Sequence, residues 1–253
     1  MHHFRQMRDE ATGAFSYLAG CARTGAALLI DPVVSQTPLY LGMLAELGLH
    51  LEWVLETHLH ADHITAADSL REWTHARIAV GGRSGISDAD RLLDDGDEIA
   101  CGDLRLRVLA TPGHTPGCLS FLWDDRLFSG DSLLIGACGR TDEPGSNGAC
   151  LYDSVVRRLF VLADETLVYP GHCLSGRRVS SIGEERESNP LFQDASRDSF
   201  ATFKTTLSTG AQPDILPLAL EANRHCGRLL KTEALKQRRV SARKQPCANH
   251  QYE

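Results

Sequence analysis

The chain has 253 residues, enough for one large α/β domain or two small ones with a full hydrophobic core. Its formal charge of −7 and 23% charged content leave no basic excess, which argues against a nucleic-acid partner. The eight cysteines include no C-x-x-C pair, so a zinc ribbon or thioredoxin-type motif is excluded and reduced thiols in a cytoplasm-like compartment are expected.

The opening "MHHFRQMRDEATGAF" lacks the apolar core of a secretory signal, and Asp9 and Glu10 interrupt any basic presequence. No apolar run reaches the ~18 residues that a membrane helix needs, so no membrane partner is expected. The expected location is cytoplasmic, or the mitochondrial matrix in a eukaryote. From Arg228 to Glu253 seven Lys/Arg oppose two Glu, a net +5 that leaves −12 on the remainder. The reading is therefore one domain over residues 1–227 and a basic, flexible tail over 228–253.

In chain order, "FSYLAG" (15–20) and "AALLIDP" (26–32) read as paired strands, the second ended by Pro32. "PLYLGMLAELGL" (38–49) has helical spacing with Gly48 as its C-cap. "LEWVLET" (51–57) is a buried strand, "ITAADSLREW" (64–73) a helix, and "RIAVGG" (77–82) a further strand. "EIACGDLRLRVLAT" (98–111) predicts a hairpin turning at Gly102-Asp103, and "CLSFLWDDRLFSGD" (118–131) another turning at Asp124-Asp125. "YDSVVRRLFVL" (152–162) predicts a helix capped by Asp153, and "TLVYPG" (166–171) a strand. Two helices, over 178–192 and 195–207, flank Asn189-Pro190.

Between the strand at 51–57 and the following helix stands "THLHADH", three histidines and an aspartate within six positions. Chance placement of H-x-H-x-D-H in a chain of this composition is on the order of one in a thousand. Three later segments share its architecture: "RLRVLATPGH" ends on His114, "RLFSGD" on Asp131 and "TLVYPGH" on His172. Each side chain follows an apolar strand, and Gly113, Gly130 and Gly171 remove a Cβ where the backbone must bend or pass close to a neighbour. Loops at the carboxyl ends of strands can converge on one point while the strands hold them rigid. Four such ends predict a metal site.

This set of motifs resembles the metallo-β-lactamase superfamily, with "THLHADH" matching its T-H-x-H-x-D-H signature. The resemblance implies an αββα sandwich with a helical C-terminal extension and a metal site at one edge between the sheets. The stretches "IDPV", "THLHADHIT", "PGHTPGC", "GDSLLIGACGRTD", "YPGH" and "SSIGEERESNP" are similar to the persulfide dioxygenases, iron-dependent relatives of glyoxalase II. That similarity runs over roughly residues 4 to 227.

Membership of that family implies oxidation of glutathione persulfide by dioxygen and water to glutathione and sulfite. It implies one Fe(II) per chain, held by His58, His114 and Asp131, a set that leaves positions free for dioxygen and substrate. His60, Asp62, His63 and His172 would then orient those ligands. In the hydrolase branch the same four would hold a second metal, giving a glyoxalase II-type thioesterase with two zinc or mixed ions. Arg140, Tyr152 and Arg177 are candidate glutathione contacts, Arg140 as a carboxylate clamp or as a loop salt bridge. Cys138 lies near the persulfide or fills a gap as a small thiol. A departure follows "YPGH": the family commonly has Asp-Tyr where this chain has Cys173-Leu174, which raises a third reading, a metal-bound sulfur carrier or sensor using Cys173. A homodimer is compatible with the sequence.

Overall fold

A computed structural model describes residues 2–172, 176–206 and 216–229. Most strands are buried on both faces, as strands covered by a second sheet and by helices must be, and they build two six-stranded sheets stacked face to face. The first sheet runs in chain order: β1 (His2–Arg8), β2 (Phe15–Cys21), β3 (Ala26–Ile30), β4 (His50–Leu55), β5 (Arg77–Gly81) and β6 (Arg91–Leu93). β1, β2 and β3 pair antiparallel, and from β3 onward to β6 the pairing is parallel. The second sheet contains β7 (Glu98–Cys101), β8 (Leu104–Ala110), β9 (Leu119–Trp123), β10 (Arg126–Gly130), β11 (Leu167–Pro170) and β12 (Ser180–Ser181), again in order.

Three apolar layers follow. Phe15, Tyr17, Leu28, Leu55, Leu106, Phe121 and Phe128 interlock between the sheets. On the outer face of the first sheet, Leu18, Leu29, Val54 and Ile78 receive Tyr40 and Leu44 from α1 (Thr37–Leu47) and Leu70 from α2 (Ala67–Thr74). On the outer face of the second, Leu109, Leu127 and Val168 pack against α3 (Gly148–Ser154), α4 (Ile182–Ser188) and α5 (Arg197–Thr206). The result is αββα, as the family resemblance implies. Fully burying one such Leu or Phe contributes ~1.5–3 kcal/mol, so these layers dominate stability.

Both predicted hairpin turns are present, with Gly102 at φ 55° and Asp124 at φ 49°. Gly48 caps α1 in the left-handed conformation. The helix predicted from 152 starts earlier. Asn147 is its N-cap, its side chain accepting from Cys150 N, while Asp153 sits inside α3 and pairs with Arg157 and Arg197. The segment 178–192 is only partly helical, because Ser180–Ser181 adds an edge strand and Ser181 then caps α4. β1, β6 and a last helix, α6 (Leu216–Asn223), carried no clear periodic signal. Residues 230–253, most of the basic tail, lie outside the described residues, as does Cys173. Among the described residues no helix is long and apolar enough to cross a membrane.

Candidate metal centre

The carboxyl ends of β4, β8, β10 and β11 meet at one edge of the sandwich. His58 lies three residues past β4, His114 four past β8, Asp131 directly after β10 and His172 two past β11. The bends depend on glycine. Gly130 has φ 51° and a Cβ there would stand 2.5 Å from Thr57 Oγ1, while at Gly113 a Cβ would lie 2.3 Å from the Leu151 backbone. Gly130 thus lets ligand-bearing loops from the two sheets touch, and Gly113 lets the His114 loop lie against α3.

His58, His114 and Asp131 present one donor atom each, all within 4.8 Å of one another, on the wall of a cavity of about 240 Å³. Hydrogen bonds fix both imidazole tautomers. The Thr57 hydroxyl donates to Asp31 Oδ2 at 2.7 Å, so at 2.9 Å it accepts from His58 Nδ1–H. His114 Nδ1–H donates to the Arg140 carbonyl at 2.9 Å, an atom that can only accept. Both Nε2 lone pairs are thereby left for a cation. Burial, with the neighbouring His60 ring, holds His58 far toward its neutral form. Burial opposes ionisation of Asp131, but the attraction and hydrogen bond of His172 outweigh it and hold the carboxyl ionised. Two imidazoles and one carboxylate suit a divalent transition metal.

Of the remaining four predicted residues, Asp62 and His172 line the same cavity, whereas His60 and His63 do not. His172 Nδ1 lies 2.7 Å from Asp131 Oδ1 and its Nε2 lies 2.8 Å from Asp62 Oδ2. Burial lowers its basicity, but these two carboxylates outweigh that and raise its pKa to about 10. His63 Nδ1 meets Asp62 Oδ2 at 3.2 Å. His60 Nε2 is turned to Asp31 at 3.2 Å and Glu56 at 3.1 Å. His60 Nδ1 and His63 Nε2 are buried with no hydrogen-bond partner and, with Asp62, form a second group of donors within 4.8 Å.

Of the candidate substrate contacts, Arg140 lines the cavity beside Glu143 and Cys138. Its guanidinium is 41% exposed and pairs with Asp142 at 3.0 Å and Glu143 at 3.2 Å. Burial raises the pKa of both Glu143 and the Cys138 thiol. Tyr152 is engaged away from the cavity wall, its hydroxyl donating to Ala195 O at 2.8 Å and its ring packing on Phe200. Arg177 forks Glu184 at the start of α4.

Several supporting groups escaped the sequence reading. Asp31 follows a buried strand as His58 does and was findable by the same rule. Glu56, within the quoted strand, was not distinguished from it. Asn223 of α6 accepts from Thr65 N at 3.0 Å and donates to the carbonyls of His60 at 2.8 Å and His63 at 2.7 Å. It is 158 residues from Thr65, and no local pattern marks it.

The family model of the metallo-β-lactamase superfamily matches residues 10–172. The mitochondrial persulfide dioxygenase ETHE1 of Homo sapiens is 39% identical over 225 residues, covering 88% of each chain. The crystal structure of ETHE1 from Myxococcus xanthus superposes with a TM-score of 0.87 at 46% identity, over 89% of this chain and 100% of that one. TTHA1623 in a di-iron-bound form is more distant, at 27% identity and a TM-score of 0.63 over 74% of this chain and 99% of that one. The chain belongs to the metallo-β-lactamase superfamily and, within it, to the persulfide dioxygenases.

Proposed function

We propose that this protein is an iron(II)-dependent dioxygenase that oxidises glutathione persulfide with dioxygen and water to sulfite and glutathione. The observation that carries the reading is the convergence of His58, His114 and Asp131 on one cavity, with both imidazole tautomers set. Ferrous iron bound by those three would supply redox chemistry toward dioxygen that no side chain provides.

The chain's own groups do the rest. His172 holds the Asp131 carboxylate in one orientation, and Asp62 holds His172 in turn. Leu134, Ala61 and Cys138 give the cavity apolar wall that limits water around a reactive sulfur. Arg140, half exposed on that wall, is placed to receive a carboxylate of the glutathione moiety. Glu143 opposite it has a raised pKa through burial and accepts from Arg140 until substrate arrives.

The dinuclear thioesterase alternative needs His172 as a metal donor beside Asp62 and His63. The 39% identity to a persulfide dioxygenase supports the dioxygenase reading over this one. The decisive experiment measures oxygen uptake by iron-loaded protein on adding glutathione persulfide, with metal content alongside. Uptake that a chelator abolishes, at about one iron per chain, is the expected result. No uptake, or about two ions per chain with thioester hydrolysis, would overturn it.

A further inference from the structure

The helix α5 brings an unexpected charge to the centre. Lys204 is 7% exposed, and its ammonium donates to the Gly139 carbonyl at 2.6 Å. α5 reaches this depth because Gly148 of α3 carries no side chain: a Cβ there would lie 3.2 Å from Lys204 Cβ. A buried ammonium satisfied by a carbonyl adds little net stability, since desolvation offsets the hydrogen bond. A methionine would fill the same space without that penalty.

Gly139 is the residue that touches two of the three proposed ligands. Its N–H donates to the Asp131 carbonyl at 2.7 Å. A Cβ on Gly139 would stand 2.4 Å from that oxygen and 2.9 Å from His114 Cγ. The next carbonyl, of Arg140, accepts from His114 Nδ1 and sets its tautomer. Fixing the Gly139 carbonyl therefore fixes the peptide plane between the Asp131 brace and the His114 brace.

We propose that Lys204 is a positioning residue for the metal centre, holding the 139–140 peptide so that Asp131 and His114 keep their coordinating orientations. This rests on the reading of His58, His114 and Asp131 as metal ligands. Lys204 lies beyond residues 10–172, the span that the superfamily model matches, so the C-terminal helices contribute to the centre as well as covering a sheet.

The test titrates the full, metal-free chain with cobalt(II), following its visible bands, alongside thermal melting of the metal-free form. For Lys204→Met the expected result is a cobalt dissociation constant raised ~10–100-fold with altered bands, the loss typical of removing a ligand's support. Its melting temperature should stay within ~3 °C of the parent. The control is Phe200→Leu on the same helix, where a core side chain 2% exposed is trimmed. That variant should melt several degrees lower yet keep cobalt affinity within ~threefold, since it touches no ligand brace. If Lys204→Met does not fold, Lys204→Gln, neutral and one bond shorter, carries the same expectation. Cobalt affinity unchanged in the folded Lys204 variant, or lost equally in Phe200→Leu, would overturn the proposal alone. A parent chain that binds no cobalt would overturn the metal reading, and this one with it.

Discussion

Nδ1 of His172 and Oδ1 of Asp131 are joined by a 2.7 Å hydrogen bond, so this histidine braces a carboxylate proposed as a metal ligand. This assigns different consequences to two histidines on the same cavity wall. His114→Ala should lose nearly all bound iron and all oxygen uptake. His172→Ala should bind iron ~10-fold more weakly yet still reach one ion per chain at saturation. Metal analysis of both variants after iron loading checks the contrast; loss of a full equivalent from His172→Ala would contradict it.

Arg140 offers a separation of binding from chemistry. Removing a charged hydrogen bond to substrate costs ~1.5–3 kcal/mol, which corresponds to a ~10–100-fold rise in KM. Arg140→Ala should show that rise for glutathione persulfide, with kcat changed much less. Arg140→Lys should recover only part of it, because an ammonium cannot match a carboxylate through two parallel bonds. Steady-state oxygen consumption gives both constants.

The loop before His114 should tolerate no side chain at its glycine. Gly113 has φ 143°, and a Cβ would sit 2.3 Å from Leu151 N and Cα. Gly113→Ala is expected to lose about 2–4 kcal/mol of stability through strain and overpacking together. Urea denaturation measures it, and the iron content of the folded fraction should fall with it.

A surface ion pair sets a small acid sensitivity. The hydrogen bond from Arg177 lowers the Glu184 pKa from 4.5 to about 2. The folded chain thus binds this proton less readily than the unfolded one. Its contribution is complete above about pH 4.5 and fades as pH falls toward 2. The two side chains are 47% and 41% exposed, so solvent screening limits the effect to less than ~1 kcal/mol. Glu184→Gln should be slightly less stable than the parent at pH 7, and the gap should narrow as pH falls from 4.5 and close near pH 2 in denaturation curves.

The convergence of the proposed metal ligands was legible because each sits just past an apolar strand, and strand ends converge by the geometry of the sheet. His58, His114 and Asp131 announce themselves by type and by neighbouring glycine. Their braces do not. Lys204 reaches the Gly139 carbonyl over 65 residues, Asn223 likewise holds the His63 carbonyl over 160, and the sequence around each reads as ordinary helix. The hairpins at Gly102 and Asp124 were equally visible, since turn chemistry is local. β6 was not, being three residues long with only Leu93 buried. The start of α3 was misplaced because Asp153 and Asn147 are both competent caps by type. The structure caps the helix with Asn147, whose N–H also donates to the Gly113 carbonyl at 2.8 Å, a contact distant in sequence.

His58 comes from one sheet, while His114 and Asp131 come from the other. An ion gripped by all three would act as a rivet across the seam of the sandwich, and every shear of one layer over its neighbour would strain it. Stripping the ion should therefore loosen the whole upper rim, with amides of 57–63 and 111–115 exchanging faster together. Through mass action the melting point should climb with free metal concentration. In a cell short of iron, the supply of cofactor would then govern how long each copy of the protein survives as well as how fast it turns over.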